Sequence, residues 1–474
     1  MFSDDVLLEI FDSYRKILVW YMVGWPWHLL VHVCQRWRQV IFTSPHRLNL
    51  QLLCTIGTPV RKNLGIWPPF PVLVNYYPNH VTQPAGLTPN DEDNAIAALE
   101  HHNRVCFVRL KLTSPQLGRV VTAMQEPYPV LRYLSIFLKD GDSTPVLPTE
   151  FLGGCAPCLQ KVDLFGIAYP ALPSLLLSTS HLVTLSLKRI PPTGFISPDM
   201  LVVGLAALHR LEHFTLDFRS VTPSPDRTPP PLAARIDLPS LTSFEFMGTD
   251  EYMENLIARI DSPQLDRILI TYSDRRSNDN FQICQLPKFI SRSVGPHLAS
   301  FKHAEVSLHK DMPSAAFAMT RSSCHLFPYT KTAGIGLGVY YDSHFRLSSL
   351  AQVLSQFSAA LSNVVHLKLM IRPVPLPGLD STSHHEWPPY DTWTCNIDWQ
   401  PILRQFIAVE TLRVSRDLAE RIASALEYSV SEETAVSEAL PCLRLICLAG
   451  HPATSIEKFI TARQLSGRPV SVIF

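Results

Sequence analysis

Gly334-Ile335-Gly336-Leu337-Gly338-Val339-Tyr340-Tyr341 invites comparison with a phosphate-cradling loop. Its glycines alternate, no Lys-Ser/Thr follows, and Leu337, Val339 and Tyr341 stand at strand spacing, so the segment predicts a strand with close backbone approach. Cys155 and Cys158 form a C-x-x-C, but no second pair stands at zinc-site spacing and Pro157 between them marks a turn. His384-His385-Glu386 lies among prolines rather than on the helix that metalloprotease geometry needs, and neither G-x-S-x-G nor H-E-x-x-H occurs. His101-His102 suits a helix end, and Arg275-Arg276 is too short a run to grip nucleic acid. The expectation is a chain that is not an enzyme, with no catalytic, cofactor or metal residues.

The residue types that remain are those of recognition. Trp387, Tyr390, Trp393 and Trp399 cluster in a proline-rich stretch, where loop aromatics beside a rigid scaffold could contact a client protein or pack onto the scaffold itself. Lys plus Arg and Asp plus Glu both number 41, so no global field steers the chain toward nucleic acid or an anionic membrane. Its partner should be another protein. The apolar run from Ile17 to Val33 contains Gly24, Pro26, His28 and His32, which argues against a membrane span.

What elements must position such contacts? At 474 residues, with 46% hydrophobic and 17% charged residues, the chain is too large for one compact core and too apolar for disorder. Forty prolines against 19 glycines predict many short elements joined by stiff connections. Ten cysteines are scattered, several in apolar stretches (Cys106, Cys284, Cys447) where a thiol acts as a small hydrophobe, and no N-x-Ser/Thr occurs. Asp4, Asp5 and Glu9 stand where a secretory leader would be basic. Reduced thiols and a cytoplasmic or nuclear location are expected.

Asp4 to Tyr14 predicts a short amphipathic helix with Val6, Leu7, Ile10, Phe11 and Tyr14 on one face and acids at its start. After a break near Gly24 and Pro26, Leu30, Val33, Cys34, Trp37 and Ile41 recur at helical spacing and predict a second helix. From about residue 100 the signature Φ-x-x-Φ-x-Φ (Φ is Leu, Ile, Val or Phe) repeats. It stands at Val105/Val108/Leu110, Leu131/Leu134/Ile136, Leu159/Val162/Leu164, Leu182/Leu185/Leu187, Leu211/Phe214/Leu216, Leu241/Phe244/Phe246 and Leu265/Ile268/Ile270. Proline stands two residues ahead after Pro129, Pro157, Pro239, Pro263 and Pro441, with a sixth, out-of-phase match at Pro170. The last two Φ positions suit the inner face of a short parallel strand, and helix-like stretches such as Pro170–Thr179 and Met253–Ile260 suit the crossovers between strands. One such unit buries too little to stand alone, so neighbours must stack. The phase weakens after Ile270, with a partial match at Leu298/Phe301, and resumes at Val364/Leu367/Leu369, Val409/Leu412/Val414 and Leu443/Ile446/Leu448. Helices are expected over Leu347–Ala360 and Asp417–Tyr428, and loops over Thr222–Pro231 and Pro373–Trp393.

The stretch D-V-L-L-E-I-F, then L-V-H-V-C-Q-R-W-R, then Ser44-Pro45 resembles the F-box, and with the repeats the chain resembles F-box proteins with leucine-rich repeats. The usual Leu-Pro before the first helix is replaced by Met1-Phe2-Ser3. The resemblance implies an α/β fold: a helical F-box over 1–50, a linker and cap over 51–100, and over 101–474 an irregular leucine-rich-repeat solenoid. That solenoid would have a curved parallel sheet, helices on the outer side, and insertions near 222–231 and 373–396. It further implies a substrate-recognition adaptor of an SCF-type cullin ubiquitin ligase. Val6, Leu7, Ile10, Phe11, Leu30, Val33, Cys34 and Trp37 would then shape both the docking surface for a Skp-family adaptor and the module's own packing, and the repeats would hold a client protein. The rival expectation is a repeat scaffold outside the ubiquitin system whose N-terminal helices only cap the array.

Overall fold

The computed structural model describes residues 2–18, 27–66, 68–77, 87–139, 145–218, 235–274, 283–298, 301–309, 314–320, 334–341, 347–372, 398–431, 439–448 and 456–473. The chain is mixed α/β with mostly parallel strands, and it divides into two compact units: Met1–Ile196 with Val203–Leu211, and Ser197–Val202 with Glu212–Phe474.

The first unit opens with α1 (Asp4–Leu18), α2 (Trp27–Val31) and α3 (Gln35–Thr43). Six strands follow: β1 (Leu52–Thr55), β2 (Val72–Tyr76), β3 (Val105–Leu112), β4 (Tyr133–Leu138), β5 (Lys161–Phe165) and β6 (Thr184–Ile190). Each pairs in parallel with the next. Parallel neighbours need a crossover, and short helices supply it, among them α4 (Val60–Asn63), α5 (Pro89–Leu99) and α6 (Ser114–Thr122). The first two strands lie before the first repeat signature, in the stretch read from sequence as linker and cap.

The Φ triplets fall into one register. Val108 is opposite Leu134, Leu134 opposite Val162 and Val162 opposite Leu185, while Leu110, Ile136, Leu164 and Leu187 form the next row. Every one of these side chains is buried. The proline effect also has a direct cause. The N–H of the first Φ donates to the carbonyl three residues back, from Leu131 to Tyr128, Leu159 to Ala156, Leu241 to Leu238, Leu265 to Ser262 and Leu443 to Leu440. This sets Pro129, Pro157, Pro239, Pro263 and Pro441 at the second position of a turn, where a fixed φ is favoured. The out-of-phase match after Pro170 is the crossover helix Leu172–Leu176.

In the second unit the strands are β7 (His213–Phe218), β8 (Ile236–Asp237), β9 (Ser243–Gly248), β10 (Ile260–Asp261), β11 (Arg267–Asp274), β12 (His303–His309), β13 (Ser314–Thr320), β14 (Gly334–Tyr341), β15 (His366–Arg372), β16 (Thr411–Val414), β17 (Leu445–Leu448) and β18 (Ser471–Ile473). β8 and β10 form a separate pair, and the others run β7-β9-β11-β14-β13-β12-β15-β16-β17-β18. The glycine-alternating segment is β14, as its spacing predicts. The sheet departs from the all-parallel expectation where the signature loses phase: β13 is antiparallel to both β12 and β14. Only residues 310–313 separate β12 from β13, too few for the crossover that a parallel pair requires. Helices Leu347–Ser355, Ser358–Leu361 and Ala419–Ser431 fill the stretches expected to be helical. Both expected loops, 222–231 and 373–393, lie outside the described residues.

Candidate functional site

The second predicted helix is two. Cys34 adopts an extended backbone between α2 and α3, its sulfur accepts the Trp37 N–H at 3.4 Å, and Arg38 Nε donates to the Val31 carbonyl across the break. Cysteine is outside the usual capping residues, so the helical spacing of Leu30, Val33, Cys34, Trp37 and Ile41 gave no warning of the interruption.

The eight residues singled out in these helices sort into two groups. Leu7, Phe11 and Leu30 are buried, and Trp37 is half-buried with its ring edge-on to Phe11 at 4.9 Å. Val6, Ile10, Val33 and Cys34 are exposed. On α1 the apolar stripe is wider than the contact it makes: Leu7, Leu8 and Phe11 turn inward, while Val6, Ile10 and Tyr14 follow one another along the open side. A shallow depression runs along these three, rimmed by Asp5, Glu9 and Arg47. Arg47 pairs with Glu9 at 2.7 Å and Arg36 with Asp4 at 2.7 Å, which ties α1 to the later segment without covering the stripe. Of the seventeen exposed large apolar side chains among the described residues, seven fall between Phe2 and Phe42. The helices are anchored behind by Trp27, whose indole N–H donates to the Gln51 carbonyl at 2.6 Å and whose ring meets Phe42 and Phe70.

A second surface lies on β2 to β6, on the face opposite the buried Φ rows. Strand alternation places Phe107, Arg109 and Lys111 there, and the register aligns them with Tyr133, Ser135 and Phe137 on β4, then Lys161, Asp163 and Phe165 on β5. Phe107 stacks on Tyr133 at 4.3 Å and Phe137 on Phe165 at 4.1 Å. Cations lie over these rings: Arg109 over Tyr77 at 4.3 Å, Lys161 over Tyr133 at 5.1 Å, Lys111 over Phe137 at 5.3 Å and Arg189 over Phe165 at 5.3 Å.

No known family's model matches the chain, and no curated protein matches it.

The remaining sequence candidates are scattered. Trp387, Tyr390, Trp393 and His384-His385-Glu386 lie outside the described residues, and so do Arg275 and Arg276. Trp399 is buried at the start of the helix Gln400–Leu403, which is scaffold packing. Cys155 and Cys158 are both exposed on the turn that Pro157 marks, and no cluster of three metal-ligating side chains occurs among the described residues. Cys284 is exposed rather than part of an apolar interior, because it precedes the helix Leu286–Leu298, where its N–H donates to Glu254. Among the described residues Cys54 is the buried thiol, and burial pushes it up to about 12, which leaves it protonated and inert. His102 donates from Nδ1 to the Pro127 carbonyl at 2.8 Å, a structural role near a helix end. No helix among the described residues is long and apolar enough to cross a membrane.

Sequence spacing found the Φ rows but not the cation and ring ladder. The signal is the set of positions between the Φ residues, and it becomes visible only when the strand register is known.

Proposed function

We propose that this chain is a non-catalytic substrate-recognition adaptor of an SCF-type cullin ubiquitin ligase. The N-terminal helices dock on a Skp-family adaptor, and the repeats stack as a curved leucine-rich-repeat solenoid, helices outermost, whose strand surface holds a client protein in the cytoplasm or nucleus. The observation that carries the reading is the open apolar stripe Val6-Ile10-Tyr14 on α1, in a module whose own packing is already served by Leu7, Leu8 and Phe11. Apolar side chains gathered on one surface are a mark of protein–protein contact. The resemblance of Asp5–Phe11 and Leu30–Arg38 to the F-box supplies the identity of the partner.

Co-purification with a Skp-family adaptor tests it. Ile10→Asp should abolish the complex while the unfolding free energy in urea stays within about 0.5 kcal/mol of the parent, as expected for an exposed site. A parent chain that captures no adaptor defeats the reading. The second reading, a scaffold with a helical cap, is favoured by the anchoring of Trp27 on Gln51 and Phe70 beside β1. Deletion of residues 1–50 separates the two: loss of a cap should aggregate or melt the repeats, whereas loss of a docking module should leave them folded.

A further inference from the structure

We propose that the half-buried face of β3 to β6, opposite the Φ rows, binds an extended, acidic polypeptide segment; this names the client chemistry of the strand surface described above and rests on that reading. The chain as a whole carries equal numbers of acidic and basic residues. This face does not. Arg109, Lys111, Lys161, Lys188 and Arg189 stand on it, and Asp163 is its one carboxylate among the described residues of these strands. Elsewhere on strands of this chain cations meet carboxylates directly, Arg267 with Glu245 and Lys368 with Glu305. Arg109, Lys111 and Lys161 form no ion pair among the described residues and lie on aromatic rings instead. A cation on a ring is held in place while its charge remains available to an incoming anion.

The backbone adds a second observation. Arg189 has φ 52, in the left-handed region that an arginine seldom adopts. Strand alternation would send its side chain to the face opposite Lys188, yet its guanidinium lies over Phe165, so two consecutive cations share one face.

Spacing narrows the occupant. Lys111, Phe137, Phe165 and Lys188 form one row across four strands, so the two lysines are three inter-strand steps apart. At about 4.8 Å per step this is about 14 Å, close to the separation of side chains four residues apart on an extended chain at about 3.4 Å per residue. A polypeptide crossing the strands could therefore set carboxylates on Lys111 and Lys188 at once. Single-stranded nucleic acid is the weaker fit, because it needs open ring faces for its bases, and here Phe107 covers Tyr133 and Phe137 covers Phe165.

Fluorescence anisotropy of the purified full chain, with no adaptor present, tests this apart from the docking reading. The probes are labelled peptides of about nine residues with Glu at alternate positions, a matched Gln peptide, a phosphoserine peptide, and an oligodeoxynucleotide of equal charge. The Glu peptide should bind, more weakly as salt rises from about 0.05 to 0.5 M, and the Gln peptide should not. Lys111→Glu with Lys188→Glu should weaken the Glu peptide at least about tenfold, two lost pairs and two repulsions of about 0.5 kcal/mol each, with an unchanged thermal melt. Recovery of binding with a Lys peptide on that double variant would establish the contact as electrostatic and local. Tighter phosphoserine than Glu binding would assign the acidity to modified residues of the same segment. Equal binding of the Gln peptide, indifference to charge reversal, or preference for the oligonucleotide overturns the proposal. If the reversed variant melts early, Lys111→Gln with Lys188→Gln replaces it, and its affinity for the Glu peptide must fall at least about threefold.

Discussion

Phe11 and Trp37 meet edge to face with ring centroids 4.9 Å apart, and Phe11 is fully buried by the contact. This pair joins α1 to α3, so a substitution at Phe11 reads the module's stability and not its docking surface. Phe11→Ala should cost about 3–5 kcal/mol, the range for a buried phenylalanine, and loosen the helices as a unit. Hydrogen exchange over residues 4–43 reports it as lost amide protection, while strands β3 to β6 keep theirs. Protection retained throughout 4–43 would refute the assignment of Phe11 to the interior.

The phase of the repeats gives a paired comparison. Leu185 is the second Φ of an in-phase triplet and is fully buried, opposite Val162 on β5. Leu177 completes the out-of-phase match after Pro170 and is 57% exposed beyond the crossover helix. Leu185→Ala should destabilise by about 2–5 kcal/mol, and Leu177→Ala by no more than about 0.5 kcal/mol. Urea unfolding of the two variants decides it. Equal losses would mean that the triplet register does not govern burial.

The contrast shows why so much of the strand pattern was legible and other parts were not. A parallel ladder repeats the same inward positions, so Leu134, Val162 and Leu185 each announce themselves as the middle member of the same Φ-x-x-Φ-x-Φ triplet. One rung escaped because it carries alanine: Phe301, Ala304 and Val306 are buried, and Ala304 and Val306 pair with Leu367 and Leu369, but alanine lies outside the Leu, Ile, Val and Phe signature. The strands β1 and β2 also escaped, although Leu52 and Cys54 pair with Val72 and Val74, because Asn49 and Pro69 stand at the first position of their triplets and Cys54 at the last position of the β1 triplet, none of which counts as Φ. On α1 the pattern showed an apolar stripe but could not divide it, since Leu7 and Ile10 differ in burial only through what packs beside them. The aromatic and cationic face depends on register between strands some 25 residues apart, which no local window contains.

Glu254 holds the start of a helix from a distance. Its carboxylate accepts the backbone N–H groups of Cys284, Gln285 and Leu286, which open the helix Leu286–Leu298. Removing the acceptor leaves these donors without their partner, so Glu254→Ala should cost about 1–3 kcal/mol. Glu254→Gln keeps one acceptor oxygen and should lose less. A chemical melt in which both variants match the parent would show that water replaces the carboxylate without cost.

His303 and His366 stack at 4.6 Å on adjacent strands, and burial, with the charge of His366 and Arg413, lowers the His303 pKa from 6.5. The neutral ring is thus the form the fold prefers. In the unfolded chain the imidazole takes up its proton at the ordinary value, so between that value and the lower folded one the unfolded state binds more protons. Stability is therefore full above the ordinary imidazole range and declines as pH falls through it toward the folded pKa. His303→Asn removes this titration, so the drop in urea midpoint between about pH 7.5 and about pH 5.5 should be smaller in the variant than in the parent. An identical drop would place the acid sensitivity on another group, and a larger one would mean that protonated His303 gains an interaction in the fold, contrary to the direction of its shift.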